Sequence, residues 1–136
     1  MNRITSLDVF PFISKNVKGS RIEHLGIFSR ISKDILDIFS DMKEGVSIRT
    51  IYPIEEIDKI EKDSYLIDNQ KYEVRFIERK EMYCVMQVCD RNFSWVGFED
   101  HNNEFDYLNI IEGSDIRFSD WTISNFEYLW KNSKKL

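Results

Sequence analysis

The order of apolar and polar positions over residues 71–100 predicts three strands joined by short polar turns. Tyr72-Glu73-Val74-Arg75-Phe76-Ile77 alternates apolar with charged residues over its first five positions, as a strand with one wet face does. Met82 to Cys89 is apolar except for Gln87, which suits a strand buried on both faces in the middle of a sheet. Phe93-Ser94-Trp95-Val96-Gly97-Phe98 is aromatic and β-branched, again strand-like. Glu78–Glu81 and Asp90–Asn92 are the turns between them.

The flanking segments follow the same logic. Ser6–Ser14 reads as a strand, with Pro11 at an edge, a bulge or the strand end because proline removes a ladder donor. Between Arg21 and Met42, apolar residues recur at Leu25, Phe28, Ile31, Ile35, Ile38, Phe39 and Met42, which is helical spacing. Gly26 is a possible break in that helix, and Ser29 or Ser32 a cap for a fresh start. Gly45 ends the helix, and Val46–Tyr52 alternates as a strand. Pro53 opens a second helix with a thin apolar face at Ile54, Ile57, Ile60 or Glu61, and Tyr65. Tyr107–Ile111 reads as a last strand. Asp120 is the expected cap of a closing helix with a stripe of Ile123, Phe126 and Trp130. The first half is a β-α-β unit with parallel strands, and the second half adds antiparallel ones. The fold class this implies is α/β (α+β mixed), one domain over residues 1–136, with a mixed sheet of about six strands flanked by helices.

Composition narrows the function classes without choosing one. The 136 residues carry a net charge of −5, with charges interspersed and no basic stripe, so direct nucleic-acid binding is not expected. Ten Phe, six Tyr and three Trp argue for an ordered core. No apolar run is long enough to span a membrane and the N-terminus has no signal-peptide core, so membrane insertion is not expected and a cytoplasmic location is. Cys84 and Cys89 fall on opposite faces of one strand, which excludes a disulfide or metal pair between them. His24 and His101 stand in no metal-ligand spacing; no metal site and no cofactor are expected.

Catalytic groupings are absent from the pattern. Glu55-Glu56 and Glu99-Asp100 are adjacent in sequence, so their carboxylates diverge. The candidates for ligand contact are two strand arginines between apolar neighbours, Arg49 and Arg75, whose bland role is pairing with a carboxylate. Tyr83 and Trp95 join them as aromatics that line either a pocket or the core. In the closing helix, Phe126 and Trp130 lie about 40° apart while Tyr128 lies roughly 160° from Trp130. Some aromatic surface must therefore face outward, making Trp121 and Tyr128 interface candidates. A homodimer, or a partner protein or output domain, is expected to cover it.

Three segments carry a family resemblance. Gly45-Val46-Ser47-Ile48-Arg49 resembles the Gly-Val-x-Ile-Arg strand of phospholipase D-like domains. Tyr72-Glu73-Val74-Arg75-Phe76 resembles the next strand, and Phe126-Glu127-Tyr128-Leu129-Trp130 the Phe-x-x-Leu-Trp helix that closes those domains. The layout, spanning roughly Ile31 to Asn132, is also similar to sensory domains of archaeal histidine kinases and transcription regulators. Phospholipase D-like enzymes carry His-x-Lys, four residues, then Asp, with the histidine as nucleophile and the lysine on phosphate. Counted back from Asp90, those positions are Tyr83 and Val85. The resemblance thus implies a phospholipase D-like fold without that activity, used as a sensory or regulatory domain. An interaction or inhibitor module and a divergent phosphodiesterase are the alternatives.

Overall fold

The computed structural model describes residues 2–5 (backbone alone), 15, 19–31, 36–37, 39, 45–59, 72–107 and 109–135. These form one eight-stranded sheet in the order β1-β7-β6-β5-β2-β3-β4-β8. The strands are β1 (Asn2–Thr5), β2 (Glu23–Ile27), β3 (Ser47–Pro53), β4 (Tyr72–Ile77), β5 (Cys84–Cys89), β6 (Phe93–Phe98), β7 (Asn109–Gly113) and β8 (Lys134–Lys135). β2, β3 and β4 run parallel, and every other neighbouring pair is antiparallel. The mixed α/β architecture expected from the sequence is present, and β5 and β6 form an antiparallel pair as expected, but β4 does not continue them as a meander: β2 and β3 lie between β4 and β5.

β5 is the inner strand its apolar run predicts. It pairs β6 on one side and β2 on the other, and all six of its residues are buried. Both cysteines are buried free thiols. Burial pushes Cys84 up to about 12 and Cys89 up to about 11, so neither is a thiolate near neutrality.

The main departure lies at β2. The helix expected over Arg21–Met42 begins instead as a strand, Glu23–Ile27, at the centre of the sheet. Leu25 and Ile27 are fully buried on one face, and His24 is fully buried on the other. A strand covered on both faces loses the alternation that would have marked it. Gly26 fits here because a Cβ on it would stand 2.6 Å from the Phe28 ring, which folds back over the strand. Beyond it, Leu36, Asp37 and Phe39 are helical, and residues 32–35, 38 and 40–42 lie outside the described residues. So do the strand expected at Ser6–Ser14 and the helix continuation at residues 60–65. The β-α-β unit therefore starts from β2.

The other differences are smaller. Ile54–Lys59 is a 3-10 segment with no buried residue rather than an α-helix, as a face with so few apolar positions allows. The last long strand runs on through Gly113, which pairs with Ser94. The closing helix spans Ile116–Lys131 and is capped by Asp115, not Asp120. Asp115 is extended and accepts the N–H groups of Arg117 (2.9 Å) and Phe118 (3.4 Å). Asp120 is an exposed residue inside the helix. Lys134 and Lys135 leave the helix end and pair with Phe76 and Arg75 as β8. Among the described residues no helix is long and apolar enough to cross a membrane.

Candidate functional site

Tyr83, Val85 and Asp90, the positions that the family resemblance sets against His, Lys and Asp, are each engaged in the fold. Asp90 sits in the turn from β5 to β6. Asp90 and Arg91 both take left-handed backbone (φ 52° and 60°), and the Asn92 N–H donates to the Cys89 carbonyl at 3.2 Å. That is the twist-matched hairpin turn which glycine and asparagine usually fill. The Asp90 carboxylate explains why a charged residue is here instead. It accepts the backbone N–H groups of Arg21 (3.0 Å), Ile22 (2.8 Å) and Glu23 (3.0 Å), while the Asp90 N–H donates to the Glu23 carbonyl at 2.8 Å. Partial burial pushes the Asp90 carboxyl up, but the three N–H donors outweigh it and hold the group below its ordinary value. Asp90 thus staples the hairpin to the chain entering β2.

At the other end of β5, Val85 is fully buried. Tyr83, just before the strand, is 44% exposed and donates its hydroxyl to Asn125 Oδ1 of the closing helix at 2.6 Å. Desolvation pushes that hydroxyl above its ordinary value, further from phenolate. His24 is in the core. Trp95 Nε1–H donates to Gln87 Oε1 at 2.6 Å, which turns the Gln87 amide NH2 toward His24 Nε2 at 3.0 Å. Nε2 then accepts, so the ring proton is on Nδ1, which has no hydrogen-bond partner among the described residues. Burial lowers the His24 pKa to about 3, against a weaker upward pull from Asp90. It is a neutral core histidine.

The two strand arginines lie under the closing helix. Arg49 makes a two-pronged contact with Glu127 (2.6 and 3.2 Å) and lies over the Phe126 and Trp130 rings at 5.2 and 5.3 Å. The Arg49 hydrogen bond holds the Glu127 carboxyl below its ordinary value, against partial burial. Arg75 donates to the Trp130 carbonyl at 3.1 Å and lies 4.4 Å over its ring. Trp95 is fully buried on the opposite face of the sheet. Arg49, Arg75, Tyr83 and Trp95 therefore do not converge on one point. Of the interface candidates, Tyr128 is 65% and Trp121 44% exposed, while Phe126 and Trp130 face the sheet.

Among the described residues a concave site assembles at the carboxyl ends of the three parallel strands. It is a cavity of about 320 Å³. Ser29 and Arg30 follow β2, Glu56 and Lys59 follow β3, Arg79 follows β4, and the loop 103–105 after β6 closes the side. In open α/β sheets this is the end at which ligands bind. Arg79 builds the wall. Its N–H is held by Glu55 (3.1 Å), and its guanidinium bonds Glu99 (2.8 Å) and the Asn103 carbonyl (2.9 Å) while stacking 4.1 Å from the Phe105 ring. None of these residues is a site candidate in the sequence, where Ser29 reads as a helix cap and Glu55, Glu56 and Glu99 as diverging carboxylates. Reading β2 as helix hid the strand end that places Ser29 and Arg30 beside the others. Among the described residues no cluster of His, Cys, Asp and Glu is suited to a metal ion.

No protein-family model and no curated protein matches this chain. Solved structures do. An archaeal chromatin protein, TrmBL2, whose structure shows a novel mode of DNA binding, superposes with a TM-score of 0.80 at 17% identity, covering 99% of this chain and 54% of that one. This chain thus spans about half the length of that neighbour. NucT from Helicobacter pylori gives 0.77 at 13% identity, covering 99% of this chain and 98% of that one. Nuc from Salmonella typhimurium, a phospholipase D family member, gives 0.72 at 10% identity, covering 99% and 96%. The fold is phospholipase D-like. The expectation that nucleic acid is no direct partner is corrected by the first of these: the same fold occurs in a DNA-binding chromatin protein. Net charge does not rule out such a partner, because it averages the whole surface, whereas a nucleic acid meets one face. Lys131, Lys134 and Lys135 already gather exposed cations at one end of an acidic chain.

Proposed function

We propose that this chain is a non-catalytic sensory or regulatory domain of a cytoplasmic signal-transduction or transcription-regulation system. The observation that carries the reading is the occupancy of the motif positions: a hydrogen-bonded phenol at Tyr83, a buried aliphatic at Val85, and an aspartate whose carboxylate holds backbone N–H groups. A phospholipase D-like phosphoryl transfer needs a nucleophile with accessible lone pairs and a cation on the phosphate. Neither is present at those positions. The cavity at the strand ends gives such a domain a place to take a signal molecule. Purified protein is expected to leave a bis-aryl phosphodiester intact. Turnover above blank that disappears on substituting Asp90 overturns the reading.

A second reading is direct contact with DNA, favoured by the chromatin protein of the same fold. It predicts duplex binding whose affinity falls steeply with salt and weakens when Lys131, Lys134 and Lys135 are replaced by glutamine. Electrophoretic mobility shifts at two salt concentrations separate it from a domain that acts on small molecules alone.

A further inference from the structure

The charges lining the cavity do not have equal freedom. Three cations (Arg30, Lys59, Arg79) and two carboxylates (Glu56, Glu104) line it, in a chain whose overall charge is −5. Arg79 is committed to Glu99, Asn103 and the Phe105 ring. Glu56 is fixed from two sides: its Oε1 accepts the Ile31 N–H at 3.1 Å, and its Oε2 lies 2.9 Å from Lys59 Nζ. It cannot turn into the cavity without orphaning a backbone donor. Arg30 is exposed, and among the described residues no carboxylate pairs with it. It lines the cavity nonetheless. Burial pushes the Tyr107 hydroxyl up and the Ser29 hydrogen bonds pull it back, and the Arg30 and Arg79 guanidinium groups both add to that pull. That hydroxyl accepts the Ser29 N–H at 2.8 Å and lies 2.9 Å from Ser29 Oγ, at the cavity wall. The Lys59 side chain is 58% exposed, on a flexible stem that can swing from Glu56 to a ligand.

We propose that this cavity binds a small polar metabolite through an oxyanion, phosphate or carboxylate, taken up by the Arg30 fork beside Lys59. The proposal deepens the regulatory reading and rests on it, since it names the chemistry of the signal the domain receives. A planar guanidinium matches two oxygens of either group at once. A volume of about 320 Å³ is at the small end for metabolite sites, so the ligand is a compact one. A nucleic-acid backbone is a poorer fit, because phosphates on a polymer track an extended groove rather than enter a cavity.

The test is a titration of the full chain, followed by backbone amide NMR at constant ionic strength, with inorganic phosphate in one arm and citrate in the other. Saturable shifts are expected at residues 29–31, 56–59, 79 and 103–105. A response in one arm alone identifies phosphate or carboxylate as the group read. Arg30→Gln is expected to weaken binding by roughly tenfold or more, with Arg117→Gln (exposed and remote) as an unchanged control. Shifts centred on residues 131–135, no saturable shift in either arm, or undiminished binding by Arg30→Gln would overturn the proposal. Phosphodiester turnover is a separate readout, so failure of the regulatory reading is distinguishable from failure of the site.

Discussion

Arginine appears in two opposite situations in this fold. Arg49 and Arg75 stand in the body of the sheet, where the closing helix lays Glu127, Phe126 and Trp130 across them. Arg30 and Arg79 stand just beyond the ends of parallel strands, where the chain turns away and leaves a cavity between the turns. The first pair is locked into packing, each guanidinium serving as both ion and flat apolar surface. In the second, one arginine builds the wall and the other is left exposed. A cation in the middle of a strand is met by whatever layer covers the sheet; one past the strand end is met only by loops. Stability is therefore expected to depend on the first region and ligand response on the second.

The sharpest way to break that division is Trp130→Ala. It removes the ring that lies over both arginines and stacks on Phe126 at 5.6 Å. A loss of about 3–5 kcal/mol in urea unfolding is expected, as for other buried large-to-small changes. A loss under about 1 kcal/mol would show that the helix is not what holds this face.

Acid probes the core from the other face. The unfolded chain protonates His24 near its ordinary 6.5, while the folded chain keeps it neutral until about 3. Between those values the unfolded state binds more protons, so stability falls as pH drops and levels off below the folded value. From pH 7 to pH 5 this group alone is expected to remove about 2 kcal/mol. The decline should flatten in His24→Gln; an unchanged slope in that variant places the effect elsewhere. Asp90 acts in the same direction, since its depressed carboxyl contributes stability above its ordinary value that is lost as pH falls further.

Asp90→Ala comes next in size. It leaves three N–H groups without their carboxylate, and about 1–2 kcal/mol is expected to go, because these donors are partly open to water. Thermal melts with and without the variant measure it, and no change would mean that Arg91 and Glu23 hold the hairpin unaided. A double-mutant cycle on Arg49 and Glu127 should give a coupling below about 1 kcal/mol, since Glu127 is 42% exposed and the pair is solvent-screened. A larger coupling would show that the aromatic cover dries the pair more than its exposure suggests. The smallest effect is Arg30→Gln, expected to move the melting free energy by no more than about 0.5 kcal/mol. A substantial destabilisation there would erase the contrast between the two regions.

The sequence by itself determined the β5–β6 hairpin, the inner strand and the packed face of the closing helix, but not that β4 stands apart from β5. In each, a local pattern has one physical meaning. Met82–Cys89 is too apolar to face water on either side, and Ile123, Phe126 and Trp130 recur at spacings of three and four, which a helix turns into one face and a strand does not. It also determined that Tyr83 and Val85 stand where the family resemblance sets His and Lys, because residue type is read directly from the chain. What only the tertiary structure decided is β2 and everything placed by it. Glu23–Ile27 is five residues long and covered on both faces, so its own pattern is silent, and the apolar residues after it at Phe28 and Ile31 extend a false helical period through it. Its partners, β3 and β5, are distant in sequence, and so is the hairpin aspartate that receives its N–H groups. The cavity follows from the same cause. Ser29, Arg30, Glu56, Lys59 and Arg79 are neighbours only because three strands run parallel and end together. Parallel pairing joins segments through long crossovers, so no local window of the chain contains it.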